Sequence, residues 1–276
     1  MKRLAAVLAM VVMALPVAAQ PAEWSEPTAP RQVFGNTYWV GTQGLGAILV
    51  ASLDGHVLID GALPGTAPLI LESIRALGFD PKDVRVLLNS HAHYDHAGSL
   101  AALQAATGAP VMAPAASAGN LRSGQPSEGD PQFGSLPPFP GVASVQTIAD
   151  GDTVRVGNIA LVAHLTEAHT PGGTTWSWES CVASECRTIV YGDSQSTISV
   201  DGFRFSDHPE ILKAAEHGFL RLESMACDIL ITPHPAGSSF WERIEGSEPL
   251  VDPNGCRRYA ASARQALARR VASEGN

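Results

Sequence analysis

Apolar residues recur along the chain in short runs with two different periods, and the runs predict strands interleaved with helices. Residues 33–40, 46–52 and 56–59 read as strands, the last two joined through Leu53-Asp54-Gly55. Leu69, Ile70, Ile74 and Leu77 fall at helical spacing, so 68–77 is predicted to be a helix that Gly78 closes. Residues 84–88 are almost wholly apolar, the pattern of a strand covered on both faces. A helix over 97–107, ended by Gly108, and a strand over 110–113 follow. Strands are predicted again at 145–148, 153–156 and 159–165, with turns at Gly151-Asp152 and Gly157-Asn158. A strand pair, 174–178 and 187–191, leads to a helix running from an Asp207 N-cap to about Met225. A last buried strand, 228–231, precedes a terminal helix over 255–272. Two stretches break the pattern. Residues 20–31 read as an extended arm, and 117–142, dense in Pro, Gly and Ser, as a long loop of the kind that serves binding.

The first residues set the expected compartment. Lys2 and Arg3, the apolar stretch 4–15 and the small residues Val17-Ala18-Ala19 have the order of a secretory signal peptide, with cleavage expected after Ala19. The apolar run is too short for a stable membrane span, so a periplasmic or secreted chain without a membrane anchor is expected, with residues 20–276 forming one domain. A net charge of −9 with no basic patch argues against nucleic acid. A hydrophobic content of 45% is ample for a sizeable core, and a monomer is expected. Four cysteines in an exported chain favour disulfides. Three pairings are possible; Cys181 and Cys186 are near enough to clasp a turn, which leaves Cys227 for Cys256. A four-thiolate zinc site is the rival, without the Cys-x-x-Cys pairs it usually shows.

The densest chemistry is His91-Ala92-His93-Tyr94-Asp95-His96-Ala97-Gly98. Three imidazoles and a carboxylate within six positions suit zinc, and no low-complexity repeat surrounds them. The segment leaves the 84–88 strand at its carboxyl end. In extended backbone His91 and His93 point to one side and Ala92 and Tyr94 away, while Asp95 and His96, at the turn into a helix, can face a second ion. His169, in the Gly-rich turn Thr170-Pro171-Gly172-Gly173 after a strand, is the expected third ligand beside His91 and His93. His164, five residues earlier, lies inside the strand and reads as structural, as do His56, His208 and His217. His234, at a strand end between Pro233 and Pro235, is the expected last ligand. Within the long loop, Asp130-Pro131-Gln132-Phe133 is placed to reach a substrate.

His91-x-His93-x-Asp95-His96, His169-Thr-Pro-Gly-Gly and Thr232-Pro-His234-Pro together resemble the metallo-β-lactamase superfamily. That resemblance spans nearly all of the chain after the leader and implies an αβ/βα sandwich, two mixed sheets flanked by helices, with two zinc ions at one edge. Glyoxalase II-like thioesterases, lactonases and RNA-processing nucleases share the first motif; the leader and acidic charge disfavour a nuclease. Tyr191-Gly-Asp193-Ser194-Gln-Ser196, Pro131-Gln-Phe-Gly-Ser135, Trp176-Ser-Trp178 and the pair Cys227 and Cys256 are similar to class B β-lactamases of the third subclass. The resemblance implies His91, His93 and His169 on zinc 1 and Asp95, His96 and His234 on zinc 2. It further implies a metal-bound hydroxide that Asp95 orients and that opens a β-lactam ring without an acyl-enzyme, and so antibiotic resistance. Ser194, Ser196 and Gln132 are the implied substrate-binding residues. Asp193 is the dividing feature: in thioesterase-like members an aspartate in this neighbourhood bridges both metals, whereas in the lactamase it only supports the ligands. Asp60 is a further candidate for hydrogen-bonding a ligand. The alternatives are a thioesterase or lactonase of the same superfamily and a catalytically silent zinc-binding export protein.

Overall fold

A computed structural model describes residues 20–275. The leader expected at 1–19 lies outside the described residues. In chain order the elements begin with β1 (Arg31–Phe34), β2 (Thr37–Trp39), β3 (Ile48–Ser52), β4 (Gly55–Ile59), α1 (Ala67–Ala76) and β5 (Val84–Leu88). Next come α2 (Tyr94–Ala97), α3 (Leu100–Thr107), β6 (Val111–Pro114), α4 (Ala115–Ser123), β7 (Val145–Ile148), β8 (Thr153–Val156) and β9 (Ile159–Leu165). The chain closes with β10 (Thr174–Val182), β11 (Glu185–Tyr191), α5 (Pro209–Ser224), β12 (Ile229–Ile231), α6 (Phe240–Ile244) and α7 (Gly255–Ser273).

Two mixed sheets result. The first runs β1 to β7 in sequence order, antiparallel through β4 and parallel from β4 to β7; the second is ordered β12-β11-β10-β9-β8, with only β11 and β12 parallel. The two-residue period of a strand explains how one sheet serves two cores. Ile48, Val50, Val57, Ile59, Val86 and Leu88 point between the sheets, where they meet Leu161, Trp176, Trp178, Ile189 and Ile231. Their neighbours Leu49, Leu58 and Leu87 point the other way, onto residues of α1, α3 and α4. Both faces are therefore buried, and β3 to β5 are apolar almost throughout, as was predicted for 84–88. On the second sheet's outer side α5 packs against α7 through Phe219, Leu222, Ala260 and Leu267. The buried indoles are satisfied across the sandwich: Trp176 Nε1 donates to Asn89 O at 3.0 Å and Trp178 Nε1 to Thr37 Oγ1 at 2.9 Å.

Both disulfides of the expected pairing are present, Cys181–Cys186 across the β10/β11 turn and Cys227–Cys256 tying the lead-in of β12 to α7. Several boundaries differ from expectation. The strand predicted over 33–40 is a hairpin, because Gly35 at φ +52° turns the chain back between β1 and β2. The helix predicted over 97–107 is two helices broken at Gly98-Ser99, where the Ser99 hydroxyl donates to Leu63 O and accepts from Ala67 N. The 117–142 loop begins with the end of α4, whose AASAGNLRS sequence has little apolar periodicity. Asp207 does not cap α5: it belongs to a 3-10 turn, Phe205–Asp207, and His208 holds the N-cap position without a side-chain cap bond. The arm contains a 3-10 turn, Ala22–Trp24, and α6 was not anticipated. No described helix is long and apolar enough to cross a membrane.

Candidate metal centre

The parallel strands β4, β5 and β6 end at the same edge, and the loop after β5 carries His91 and His93 there before α2 turns Asp95 and His96 inward. Ala92 points into the helix-side core, opposite the two histidines. Gly98 is needed for this sharp entry: a Cβ there would lie 2.2 Å from Tyr94 O and 2.3 Å from Pro64 N. The second sheet supplies the rest, His169 from the turn after β9 and His234 from the loop after β12.

All six residues expected as ligands converge, although they come from three distant parts of the chain. Ligand atoms of His91, His93 and His169 lie within 4.8 Å of one another. His96 Nε2, Asp95 Oδ2 and His234 Nε2 form the adjoining group, with separations of 3.2, 3.2 and 3.4 Å. His91 also lies within reach of Asp95 and His96, and so stands between the two groups. His91, His93, Asp95, His96 and His169 are buried.

Carboxylates and a serine hold the rings from behind. His91 Nδ1 meets Asp193 Oδ1 at 2.8 Å, His93 Nε2 meets Asp130 Oδ2 at 2.7 Å, and His169 Nδ1 lies 3.0 Å from both Ser196 O and Ser196 Oγ. Each contact fixes which ring nitrogen faces inward. Asp60 accepts from Asn89 Nδ2, Ser90 N, Ser90 Oγ and Tyr191 OH, and its Oδ2 faces His96 Nδ1 at 3.9 Å. Its place at the end of β4 is backed by φ +66°, a conformation aspartate tolerates better than most residues. The Gly172-Gly173 pair also has a spatial reason, since a Cβ on Gly173 would stand 2.4 Å from Asp193 Oδ2.

His91, His169, His234 and Asp95 are shifted toward the forms that bind a cation. Burial, then the neighbouring His96, His93 and His169, hold His91 well below the usual imidazole range; burial and His93 bring His169 down to about 3. Burial opposes ionisation of Asp95, but His96 and hydrogen bonds from His234 and His96 overcome it and hold the carboxyl well below its ordinary range. Burial lowers His96, but Asp95 and then Asp60 outweigh it and raise this ring, so the His96/Asp95 pair shares a proton that a cation would displace; neutral imidazoles and an ionised carboxylate are the ligand forms of zinc. His91 Nε2 is buried with no hydrogen-bond partner among the described residues and aims into the cluster. A buried nitrogen lone pair left so is costly unless something electropositive meets it. The donor set fits divalent cations.

The cluster floors a groove of about 780 Å³ whose walls include Tyr94, Gln132, Leu136, Ser194, Ser196 and Ile198. Gln132 Nε2 reaches to 3.5 Å from His169 Nε2. With Nε2 of His169 facing inward, Nδ1 carries the proton and donates to Ser196, which leaves the Ser196 hydroxyl proton free for the groove. The other histidines are elsewhere: His164 bonds Ser177 Oγ on the β9/β10 pair, His56 lies buried beside Phe79, and His208 stacks on Phe203. Two functional neighbours escaped the sequence. Asp130 backs His93 rather than reaching a substrate, and Trp24 covers the His234 ring at 5.2 Å. An acid before proline in a loop and a tryptophan in a polar arm were the only signals.

Comparison with known proteins agrees with this geometry. The metallo-beta-lactamase superfamily model matches residues 46–182. The crystal structure of the metallo-β-lactamase MIM-1 from Novosphingobium pentaromativorans superposes with a TM-score of 0.90 at 48% identity, over 91% of this chain and 93% of that one. MEM-A1, a subclass B3 metallo-β-lactamase from a soil metagenome library, gives 0.87 at 42% identity, over 91% of this chain and 98% of that one. A hydroxyacylglutathione hydrolase of Albidiferax ferrireducens is 46% identical over 52 residues only, 19% of each chain. The chain belongs to the metallo-β-lactamase superfamily, and within it to the group of the subclass B3 enzymes.

Proposed function

We propose that the protein hydrolyses the amide bond of β-lactams with two zinc ions, and thereby confers antibiotic resistance on a cell that exports it to the periplasm. His91, His93 and His169 hold one ion and Asp95, His96 and His234 the other. Bound zinc lowers the pKa of water to about 7 and polarises a carbonyl. The chain supplies the rest. Asp95, ionised beside both groups, accepts a hydrogen bond from the attacking water and orients it. Asp193, Asp130 and Ser196 keep the lone pairs of three imidazoles turned inward. Ser194 and the free hydroxyl proton of Ser196 bind the substrate carboxylate, a weaker clamp than a cation, and Gln132 closes the groove above His169.

The placement of Asp193 carries this reading. Its Oδ1 is engaged by the outer nitrogen of His91, on the far side of that ring from the cluster, which is not the position of a bridging ligand. That speaks against the thioesterase alternative, whose aspartate bridges. The likeness to MIM-1 over 91% of the chain, against 19% for the hydroxyacylglutathione hydrolase, points the same way. Purified protein is to be assayed on a chromogenic cephalosporin and on a glutathione thioester, with and without chelator. Cephalosporin opening abolished by chelator is expected; activity confined to the thioester, or none on either, would overturn the proposal.

A further inference from the structure

Of the five imidazoles in the cluster, four face a polar group on the nitrogen turned away from its centre. Asp193, Asp130 and Ser196 back His91, His93 and His169, and Asp60 faces His96. His234 has no such partner among the described residues. Its polar contacts all run through Nε2, to His96 and Asp95, and its side chain is 38% exposed where the His91, His93 and His96 side chains are 1%, 3% and 0%. What meets its ring is Trp24, centroid to centroid 5.2 Å with the planes 39° apart. The indole is wedged, since it also packs on Tyr94 and on the small cluster of Leu45, Ala62 and Leu63.

Trp24 is held there by its backbone. Glu23 O accepts from Gly44 N at 2.8 Å, Trp24 O from Thr42 Oγ1 at 2.9 Å, and Glu26 O from Gln43 N at 2.9 Å. Gly44 must be glycine for the arm to seat, because a Cβ there would stand 2.7 Å from Glu23 Cγ and 2.9 Å from both Glu23 C and Trp24 Cδ1. A tripeptide on the main fold thus grips an arm that would otherwise be peripheral.

We propose that Trp24 is the positioning residue of His234: packing by the strapped indole does for this ring what hydrogen bonds do for His91, His93 and His169 and what the buried Asp60 carboxylate, 3.9 Å away, does for His96, and so sets the affinity of the Asp95/His96/His234 position for its cation. The proposal rests on the two-cation reading above. Loss of an outer partner of a ligand typically costs about 10–100-fold in metal affinity, and an aromatic contact belongs at the low end, about 10-fold.

The test is titration of metal-free, full-length protein with Zn²⁺ against a chromophoric chelator, with His234→Ala marking which binding event belongs to this position. Trp24→Ala is expected to weaken that event about 10-fold and leave the other within about twofold; Trp24→Phe restores most of the loss. Gly44→Ala, which leaves the indole in the sequence but adds a methyl that clashes with Glu23 and the indole edge, is expected to reproduce Trp24→Ala by lifting the arm. Equal weakening of both events, or neither changed, overturns the role of Trp24 while leaving two cations in place. Wild-type protein that takes up a single equivalent overturns the two-cation reading and this proposal with it.

Discussion

Asp193 Oδ1 sits 2.8 Å from Nδ1 of His91, both side chains buried, so the carboxylate grips the ring from the side opposite the cluster. Gly173, bare of a Cβ, is what lets the aspartate come so close. Asp193→Ala is expected to reduce affinity at the His91/His93/His169 position by about 10–100-fold while the fold persists. Competition with a chromophoric chelator measures it. Unchanged affinity would mean that the pair is structural only.

Ser196 joins the metal cluster to the groove, and its two oxygens share the proton of His169 Nδ1. Ser196→Ala removes the hydroxyl but keeps the backbone acceptor, so the ring stays oriented. KM for a β-lactam is expected to rise several-fold with kcat little altered, the signature of lost ground-state binding. A fall in kcat at constant KM would show that the hydroxyl acts on the reacting atoms or on His169 instead.

How far the sequence could be read depended on whether the signal was local. His91, His93, Asp95 and His96 occupy one short stretch at the end of an apolar strand, and His169 and His234 stand in Gly- and Pro-bound turns after strands, so the residues that converge were visible without coordinates. The strands β3 to β5 stood out as short apolar runs because both their faces are buried, while the sandwich itself was legible only through the resemblance carried by the histidine motifs. Asp130 and Trp24 were not visible in their roles, because each acts on a residue far away in sequence and sits in a segment with no period. Helix α4 hid for a related reason: its composition differs little from that of the loop it enters, and packing of Ala118 and Leu121 on the core decides its conformation.

The two disulfides close loops of different size, with sequence separations of 5 and 29. In the chain-entropy account the longer loop restrains the unfolded chain more, by about 3–4 kcal/mol against about 2 kcal/mol. The Cys227→Ala/Cys256→Ala variant is therefore expected to lose more stability in urea than Cys181→Ala/Cys186→Ala. The longer-loop bridge is also buried beside Leu230 and Tyr259, and Tyr259 OH reaches Asp193 O at 3.0 Å, so its loss should loosen the site as well. Equal losses from the two variants would contradict the loop-length account.

Glu274 gives the pH dependence a sign. Its carboxylate closes α7 by accepting from Phe205 N at 3.0 Å, from Ser206 N at 2.9 Å and from Arg270 Nε at 3.1 Å, which ties the chain's end to the turn that leads into α5. Burial favours its neutral form, yet the Ser206 and Phe205 amides, the Ser206 side chain and the Arg270 guanidinium outweigh that and bring its pKa down to about 2. In the unfolded chain the value is about 4.3. The folded state thus binds the proton less readily, so the contribution is present in full above about pH 4.3 and disappears as pH falls through about 2. Glu274→Gln, which cannot carry the charge, is expected to be less stable than the parent at pH 6, with the gap shrinking as both are melted at successively lower pH. A gap that stays constant down to pH 2 would place the stabilisation in side-chain packing rather than in the carboxylate's charge.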